Sequence, residues 1–271
     1  RGDAAATGRS EARGPQKAPK RAWLFAAPEG FGDTPVVAAD GTLYFSSTDG
    51  NLYALDANGM KKWVFPAKAS VARSPAIGLD GTVYAVGDRL YAVGPDGKQR
   101  WSFPIGSTLT SPNRAPGDGV YVCNGAGTLQ RFDHDGALQW SFVAPHRPDM
   151  GVFLPSVSLA VAQDGTVYYG TEAGYLLAVD SAGRAPWEQR LGTPGAGVSA
   201  PAIGPDGSLL TESWFFTTLT SVLPNGMVKW SANIDNSGVA GRTSAAVALD
   251  GTVYVKSAFG LINAYAADGT P

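Results

Sequence analysis

The side chains of this chain that can do acid–base, nucleophilic or metal chemistry are few. There are two histidines, one cysteine and a scatter of aspartates. His134 stands in Asp133-His134-Asp135-Gly136, and His146 lies between two prolines with Arg147 beside it. A calcium loop needs oxygen ligands at fixed alternating positions. The Asp-Gly dipeptides lack that spacing and recur where hairpin turns fall, so they read as turns. A serine hydrolase of the nucleophile-elbow type needs Gly-x-Ser-x-Gly, which does not occur. A lone histidine without a paired nucleophile reads as an ordinary polar residue. Cys123, in the apolar run Val120-Tyr121-Val122-Cys123, reads as a buried, inert thiol. A single cysteine excludes an internal disulfide framework and a cysteine zinc cage. No catalytic residue and no metal ligand is assigned. An enzyme stays open only as a site assembled from residues far apart in sequence.

Whole-chain composition narrows the classes further. A net charge of −2 and a pI near 5.7 argue against a nucleic-acid-binding surface. No apolar run approaches the ~18–20 residues of a membrane span. With 35 Gly and 19 Pro the chain could be disordered, but 44% hydrophobic residues and evenly spaced tryptophans argue for a packed core.

The elements that must position any site come from a repeat. Trp23, Trp63, Trp101, Trp140, Trp187 and Trp230 recur at gaps of 40, 38, 39, 47 and 43 residues, the period of a four-stranded propeller blade. The second unit is the clearest. Ser74–Ile77 reads as a short strand, Asp80-Gly81 as a turn and Thr82–Val86 as a second strand. Arg89–Val93 follows as a third, Asp96-Gly97 as a turn, and Arg100–Phe103 as a fourth. First turns are expected at Asp40-Gly41, Asp80-Gly81, Asp118-Gly119, Asp164-Gly165, Asp206-Gly207 and Asp250-Gly251. Second turns are expected at Gly59, Gly97, Gly136, Gly183, Gly226 and Gly269. Alternation such as Leu43/Phe45 and Val83/Ala85 predicts half-buried strands. The six tryptophans are expected to pack between blades.

The repeat region opens with a lone fourth strand, Arg21–Phe25, and its last unit lacks one. Pairing the two yields an all-β, six-bladed β-propeller of four-stranded antiparallel blades, its ring closed by the N-terminal strand. The alternative is a larger ring of seven or eight blades continuing past Pro271. Residues 21–271 form the propeller at about 42 residues per blade, and residues 1–20 read as a flexible tail or linker.

Ala54-Leu55-Asp56-Ala57-Asn58-Gly59-Met60-Lys61-Lys62-Trp63 resembles the tryptophan-docking repeat of the PQQ-like (quinoprotein-type) β-propellers. Ala178-Val179-Asp180 through Gly183 to Trp187 repeats it, and Asp80–Tyr84 and Asp250–Tyr254 match the preceding part. The resemblance covers all six units. It implies the fold, and a superfamily holding both quinone-dependent dehydrogenases and non-catalytic bacterial envelope propellers. The dehydrogenase branch implies PQQ with calcium, eight blades and often a vicinal cysteine pair. This chain has one cysteine and six units, so no cofactor is expected. An extracytoplasmic setting (periplasm, cell surface or secreted) is implied by the resemblance.

The departures from the repeat mark the candidate binding sector. From each repeat tryptophan to its next Asp-Gly turn the distances are 17, 17, 17, 24, 19 and 20 residues. The longest segment enters unit four and carries His146, Arg147, Asp149, Met150 and Phe153. In unit five the second-to-third connection holds Trp214, Phe215 and Phe216, and Trp214 is the one tryptophan off the repeat position. Aromatic residues and arginine are the types enriched at interface hot spots. Either this sector docks a protein or glycan, or the triplet folds inward as a cap, or it meets a neighbouring domain. Small residues, Thr34, Ser74, Ser111, Ser158, Ala200 and Ser244, hold equivalent positions near the axis. Arg73 and Arg242 lie just before two of them; they form a basic rim for an anionic ligand or pair with Asp33 and Asp235. The resulting expectation is a non-catalytic binding scaffold, a monomer or part of a larger assembly, with no nucleic-acid partner and no membrane insertion. An axial-funnel enzyme, either a quinone-dependent oxidoreductase or a lyase/hydrolase, is one alternative; a ligand-sensing ectodomain of a larger receptor is the other.

Overall fold

Short runs of β-branched and aromatic residues, each bounded by a glycine turn, have one way to satisfy their backbone groups: pairing as antiparallel hairpins. The computed structural model describes residues 20–68, 73–106, 108, 110–144, 158–192, 196–213, 218–234, 245–256 and 261–271. Among them there is no helix, and every strand joins a sheet ordered as in the sequence.

The described residues fall into two compact units, one of 20–125 with 129–140, the other of 126–128 with 141–271. The first holds sheet one (β1 Val36–Val37, β2 Leu43–Ser46, β3 Asn51–Leu55, β4 Lys61–Pro66) and sheet two (β5 Ala76–Ile77, β6 Val83–Val86, β7 Leu90–Val93, β8 Gln99–Phe103). It also holds most of sheet three (β9 Asn113–Arg114, β10 Val120–Cys123, β11 Thr128–Phe132, β12 Leu138–Val143). The second holds sheet four (β13 Ala160–Val161, β14 Val167–Gly170, β15 Tyr175–Val179, β16 Trp187–Arg190) and sheet five (β17 Ala202–Ile203, β18 Leu209–Ser213, β19 Thr218–Val222, β20 Val228–Asn233). Its last sheet has three strands (β21 Ala246–Val247, β22 Val253–Lys256, β23 Ile262–Tyr265). Arg21–Phe25, expected as a strand, carries no named strand.

Burial corrects the expectation of half-buried strands. β6, β7, β10, β14 and β15 are buried at every residue. Sheet two lies between sheets one and three, and sheet five between sheet four and the last, so in their middle strands the alternation sorts residues between two cores rather than between core and water. Tyr44, Leu52 and Phe65 of sheet one meet Val83, Ala85 and Tyr91 of sheet two in one core. Tyr84, Leu90 and Ile105 meet Val120, Val122 and Phe132 in the next. In the second unit Tyr168 and Leu176 meet Ile203, Leu209 and Val222, and Leu210 and Leu219 meet Val253, Val255 and Tyr265. Alternation against solvent survives in the outermost strands β12 and β20 and in β22. The last sheet is the exception among the middle strands. Tyr254 and Ile262 hold the positions of Tyr44 and Leu52 by register, yet they are 44% and 74% exposed.

The first turns follow one chemistry. The Asp Oδ1 accepts the N–H two residues on, at 2.9 Å from Thr42, Thr82, Thr166 and Thr252 and 3.0 Å from Ser208. Sheet three departs from it and corrects the sequence reading by one residue. The Ala115 N–H bonds the Gly119 carbonyl, as Gly78 bonds Thr82. Asp118 therefore stands where the other turns have glycine, and its φ is +73°. The equivalent pair is Gly117-Asp118, not Asp118-Gly119.

Bulges do a further job. The register shifts at Ala54/Leu55, Ala92/Val93 and Ser221/Val222, leaving Lys62, Arg100 and Lys229 as the extra residues just before their tryptophans. A bulge re-aims its side chain. Here it swings a base across the sheet onto the first turn. Lys62 Nζ donates to Thr42 Oγ1 at 2.9 Å, Arg100 pairs with Asp80, and Lys229 Nζ donates to Asp206 Oδ2 at 2.9 Å.

Candidate functional site

The most regular side-chain device is the indole latch. Trp23, Trp63, Trp101, Trp187 and Trp230 each donate Nε1–H to a carbonyl in the second turn of the following sheet: Ala57, Pro95, His134, Pro224 and Ala267, at 3.0, 2.8, 2.6, 2.8 and 3.0 Å. The ring lies flat on the turn glycine. A Cβ on Gly59 would stand 2.5 Å from the Trp23 ring, and one on Gly136 would stand 2.6 Å from Trp101. Only glycine allows that approach, and its φ near +80° is one that L side chains rarely adopt. Trp140 is half-buried with its ring centroid 5.7 Å from Tyr121. Together these contacts give each unit a stiff frame from which connections project.

Of the ten candidate binding residues, the structure describes Arg73. Trp214, Phe215, Phe216, His146, Arg147, Asp149, Met150, Phe153 and Arg242 lie outside the described residues. Their anchors are described. β12 ends at Val143, 64% exposed, and the Ser213–Thr218 pair closes the hairpin that carries 214–217. Arg73 is half-buried just before β5, with no ion pair to Asp33 among the described residues. Asp33 Oδ1 instead accepts from the N–H and hydroxyl of Thr34.

Below the 214–217 connection the structure shows something the sequence reading missed. Where β6 reads Val-Tyr-Ala-Val, β18 reads Leu-Leu-Thr-Glu-Ser, and Thr211, Glu212, Ser213, Thr220 and Ser221 are all buried. Ser199 ties this polar interior to the incoming chain. Its N–H donates to the Glu212 carbonyl at 2.8 Å, its Oγ accepts from the Glu212 N–H at 3.0 Å, and Thr211 Oγ1 donates to its carbonyl at 2.8 Å. Sheet four approaches closely here: a Cβ on Gly170 would overlap the carbonyl oxygens of Val198 and Ser199. The bonds among Ser199, Thr211 and the Glu212 backbone hold one geometry and resist sliding, although Ser213 Oγ and Ser221 Oγ are enclosed without a partner. The sequence signal for it is the loss of the β-branched and aromatic pattern at residues 211–213.

The groups with chemical potential elsewhere are quiet. His134 sits in an exposed second turn, Nε2 3.1 Å from Asp135 Oδ1. Burial pushes the Cys123 thiol up to about 12, so it stays protonated. Burial, then the Asp118 and Asp80 carboxylates, raise Tyr84 well above an ordinary phenol. Burial pushes Asp206 up, but hydrogen bonds from Ser208 and Lys229 outweigh it and hold the carboxyl at about 2. No cluster of three His, Cys, Asp or Glu occurs among the described residues.

A model of the family described as outer membrane protein assembly factor BamB matches residues 48–204. No curated protein sequence matches the chain. Virginiamycin B lyase from Staphylococcus aureus, solved with quinupristin, is similar at TM-score 0.65 and 13% identity, over 90% of this chain and 87% of that one. A streptogramin B lyase is similar at 0.64 and 15%, over 81% and 74%. BamB from Moraxella catarrhalis is similar at 0.55 and 16%, over 90% and 85%. At such identities the structural likeness speaks for the fold alone.

Proposed function

The chain belongs to the outer membrane protein assembly factor BamB family of PQQ-like propellers, and from that premise we propose that it is a non-catalytic binding scaffold of a bacterial envelope, docking a protein partner within a larger assembly. The observation that carries this reading is the family match over residues 48–204, which runs from sheet one into sheet five. The mechanism is rigid display. Indole latches and two-sided cores stiffen the sheets, so that binding orders only the connections and loses little conformational entropy. The docking sector is the pair of connections that break the repeat, with Trp214, Phe215 and Phe216 on one and His146, Arg147, Asp149, Met150 and Phe153 on the other. The buried polar interior at Thr211–Ser213 supports this choice, because it braces the hairpin that carries the aromatic triplet.

The same proposal takes the six sheets as six blades, with Arg21–Phe25 as the fourth strand of the last. Its support is local. Trp23 lies on Gly59 as the fourth-strand tryptophans lie on theirs, and Phe25 packs on Tyr53 at 5.9 Å much as Phe65 packs on Tyr91 at 5.2 Å. The setting is extracytoplasmic, and no PQQ or calcium is held.

The test is capture from an envelope extract with the wild-type chain and with Trp214→Ser/Phe216→Ser, after both give the same thermal melt. A protein kept by the wild type alone supports the docking sector. A protein kept equally by both moves docking elsewhere on the scaffold, and no capture by either argues against a scaffold. A glycan array run in parallel tests the carbohydrate alternative. Titration with PQQ and calcium tests the oxidoreductase reading, and turnover of a streptogramin tests the lyase reading that the structural likeness to lyases raises. A saturable response in either would replace the scaffold.

A further inference from the structure

Several bases on this fold are matched to carboxylates. Lys62, Arg100, Arg184 and Lys229 pair with Asp40, Asp80, Asp180 and Asp206. Arg73 is different. It is half-buried, its Nε is fully enclosed, and that nitrogen has no hydrogen-bond partner. No described carboxylate pairs with it, and Asp33, at the same level on sheet one, is engaged with Thr34.

A second orphan precedes the neighbouring strand. Ser111 is 7% exposed, and its Oγ is enclosed without a partner. Arg73 and Ser111 precede β5 and β9, the first strands of sheets two and three, which are in contact with each other. Register places Ser111 at the level of Ser74, one residue from Arg73. The backbone around Ser111 is held on both sides. Asn113 Nδ2 donates to the Ser111 carbonyl at 2.9 Å, and Thr110 Oγ1 accepts the Cys123 N–H at 3.1 Å.

Enclosed polar atoms are kept in proteins when something completes them, and a nitrogen of a charged guanidinium most of all. Arginine presents donors in a planar fork that matches an oxyanion, and a neighbouring hydroxyl adds one more. We propose that Arg73 and Ser111 form an oxyanion site at the first-strand edge of sheets two and three, taking a phosphate or a carboxylate. The site uses none of the docking sector's residues on sheets four and five, and its failure would leave that reading untouched.

The experiment is calorimetric titration of the full chain with inorganic phosphate and, separately, with acetate, at an ionic strength held constant with chloride. Saturable binding is expected. Arg73→Gln should weaken it at least about tenfold, and Ser111→Ala by several-fold. Arg73→Lys, which keeps the charge and loses the fork, should fall between. Phosphate alone points to a tetrahedral anion, whereas acetate binding points to a carboxylate such as an acidic side chain of a partner. A melt in anion-free buffer guards against misreading. Without its anion the guanidinium is a burden, so Arg73→Gln should melt at the wild-type temperature or above it, and phosphate should raise the wild type alone. Absence of saturable heat with both anions, equal affinity in wild type and Arg73→Gln, or a lower anion-free melt for Arg73→Gln overturns the site.

Discussion

Removing the Trp101 ring should unlatch sheet two from sheet three. The indole is half-buried, lies on Gly136, has ring centroids of Tyr84 and Phe132 at 5.8 and 6.2 Å, and donates to the His134 carbonyl. Truncation to alanine returns roughly 100 Å² of covered ring to water, about half of what a fully buried indole covers. At about 25 cal/mol per Å² that is ~2.5 kcal/mol. The lost hydrogen bond adds about 1 kcal/mol and leaves the carbonyl to water. Trp101→Ala should therefore cost about 3–4 kcal/mol in a denaturant melt, and Trp101→Phe, which keeps most of the ring, about 1–2 kcal/mol. The latch also predicts a coupling. Gly136→Ala suffers twice, from its φ of +87° and from the ring 2.6 Å from the new Cβ. Once the ring is gone, only the backbone part, about 1 kcal/mol, should remain. A Trp101→Ala cost under about 1 kcal/mol, or strict additivity of the two substitutions, would refute the latch.

Other outcomes follow from single positions. Asp118 holds a left-handed φ of +73°, so Asp118→Gly should raise stability by about 0.5–1 kcal/mol in a thermal melt; a decrease would mean that its carboxylate contacts outweigh the strain. Asp206 titrates near 2 in the folded chain against an ordinary 3.8, so its contribution is complete above about pH 4 and lost as pH falls toward 2. Lys229→Met should shrink that acid-induced loss in a series of melts against pH, with a small effect because both side chains are partly exposed. Cys123, enclosed and protonated, should resist a thiol reagent in the native chain and react fully once unfolded; fast native labelling would contradict its burial.

Local chemistry carried most of the architecture. An Asp side chain capping an N–H two residues on, a glycine at positive φ and a β-branched run act within a few residues of one another, so the spacing of Asp-Gly pairs and tryptophans suffices to read six repeats of short strands. The same locality explains the miss at sheet three. Asp118-Gly119 carries the expected letters, but the turn is set by which residues pair across it, and pairing through Ala115 and Gly119 moves the left-handed position onto Asp118. Function was less legible, because site residues are neighbours across sheets rather than along the chain. Arg73 reads as one base among several until its neighbours are known to be spoken for, and Thr211–Ser213 reads as a weak strand until burial shows it bracing a connection. The sequence by itself determined strands, turns and the repeated tryptophans, since each rests on short-range sterics and hydrogen bonding. Tertiary structure alone decided that the middle strands of sheets two and five are covered on both faces, that bulges swing Lys62, Arg100 and Lys229 onto carboxylates, and that Arg73 Nε and Ser111 Oγ are enclosed without partners, since each depends on what a neighbouring strand or sheet brings alongside.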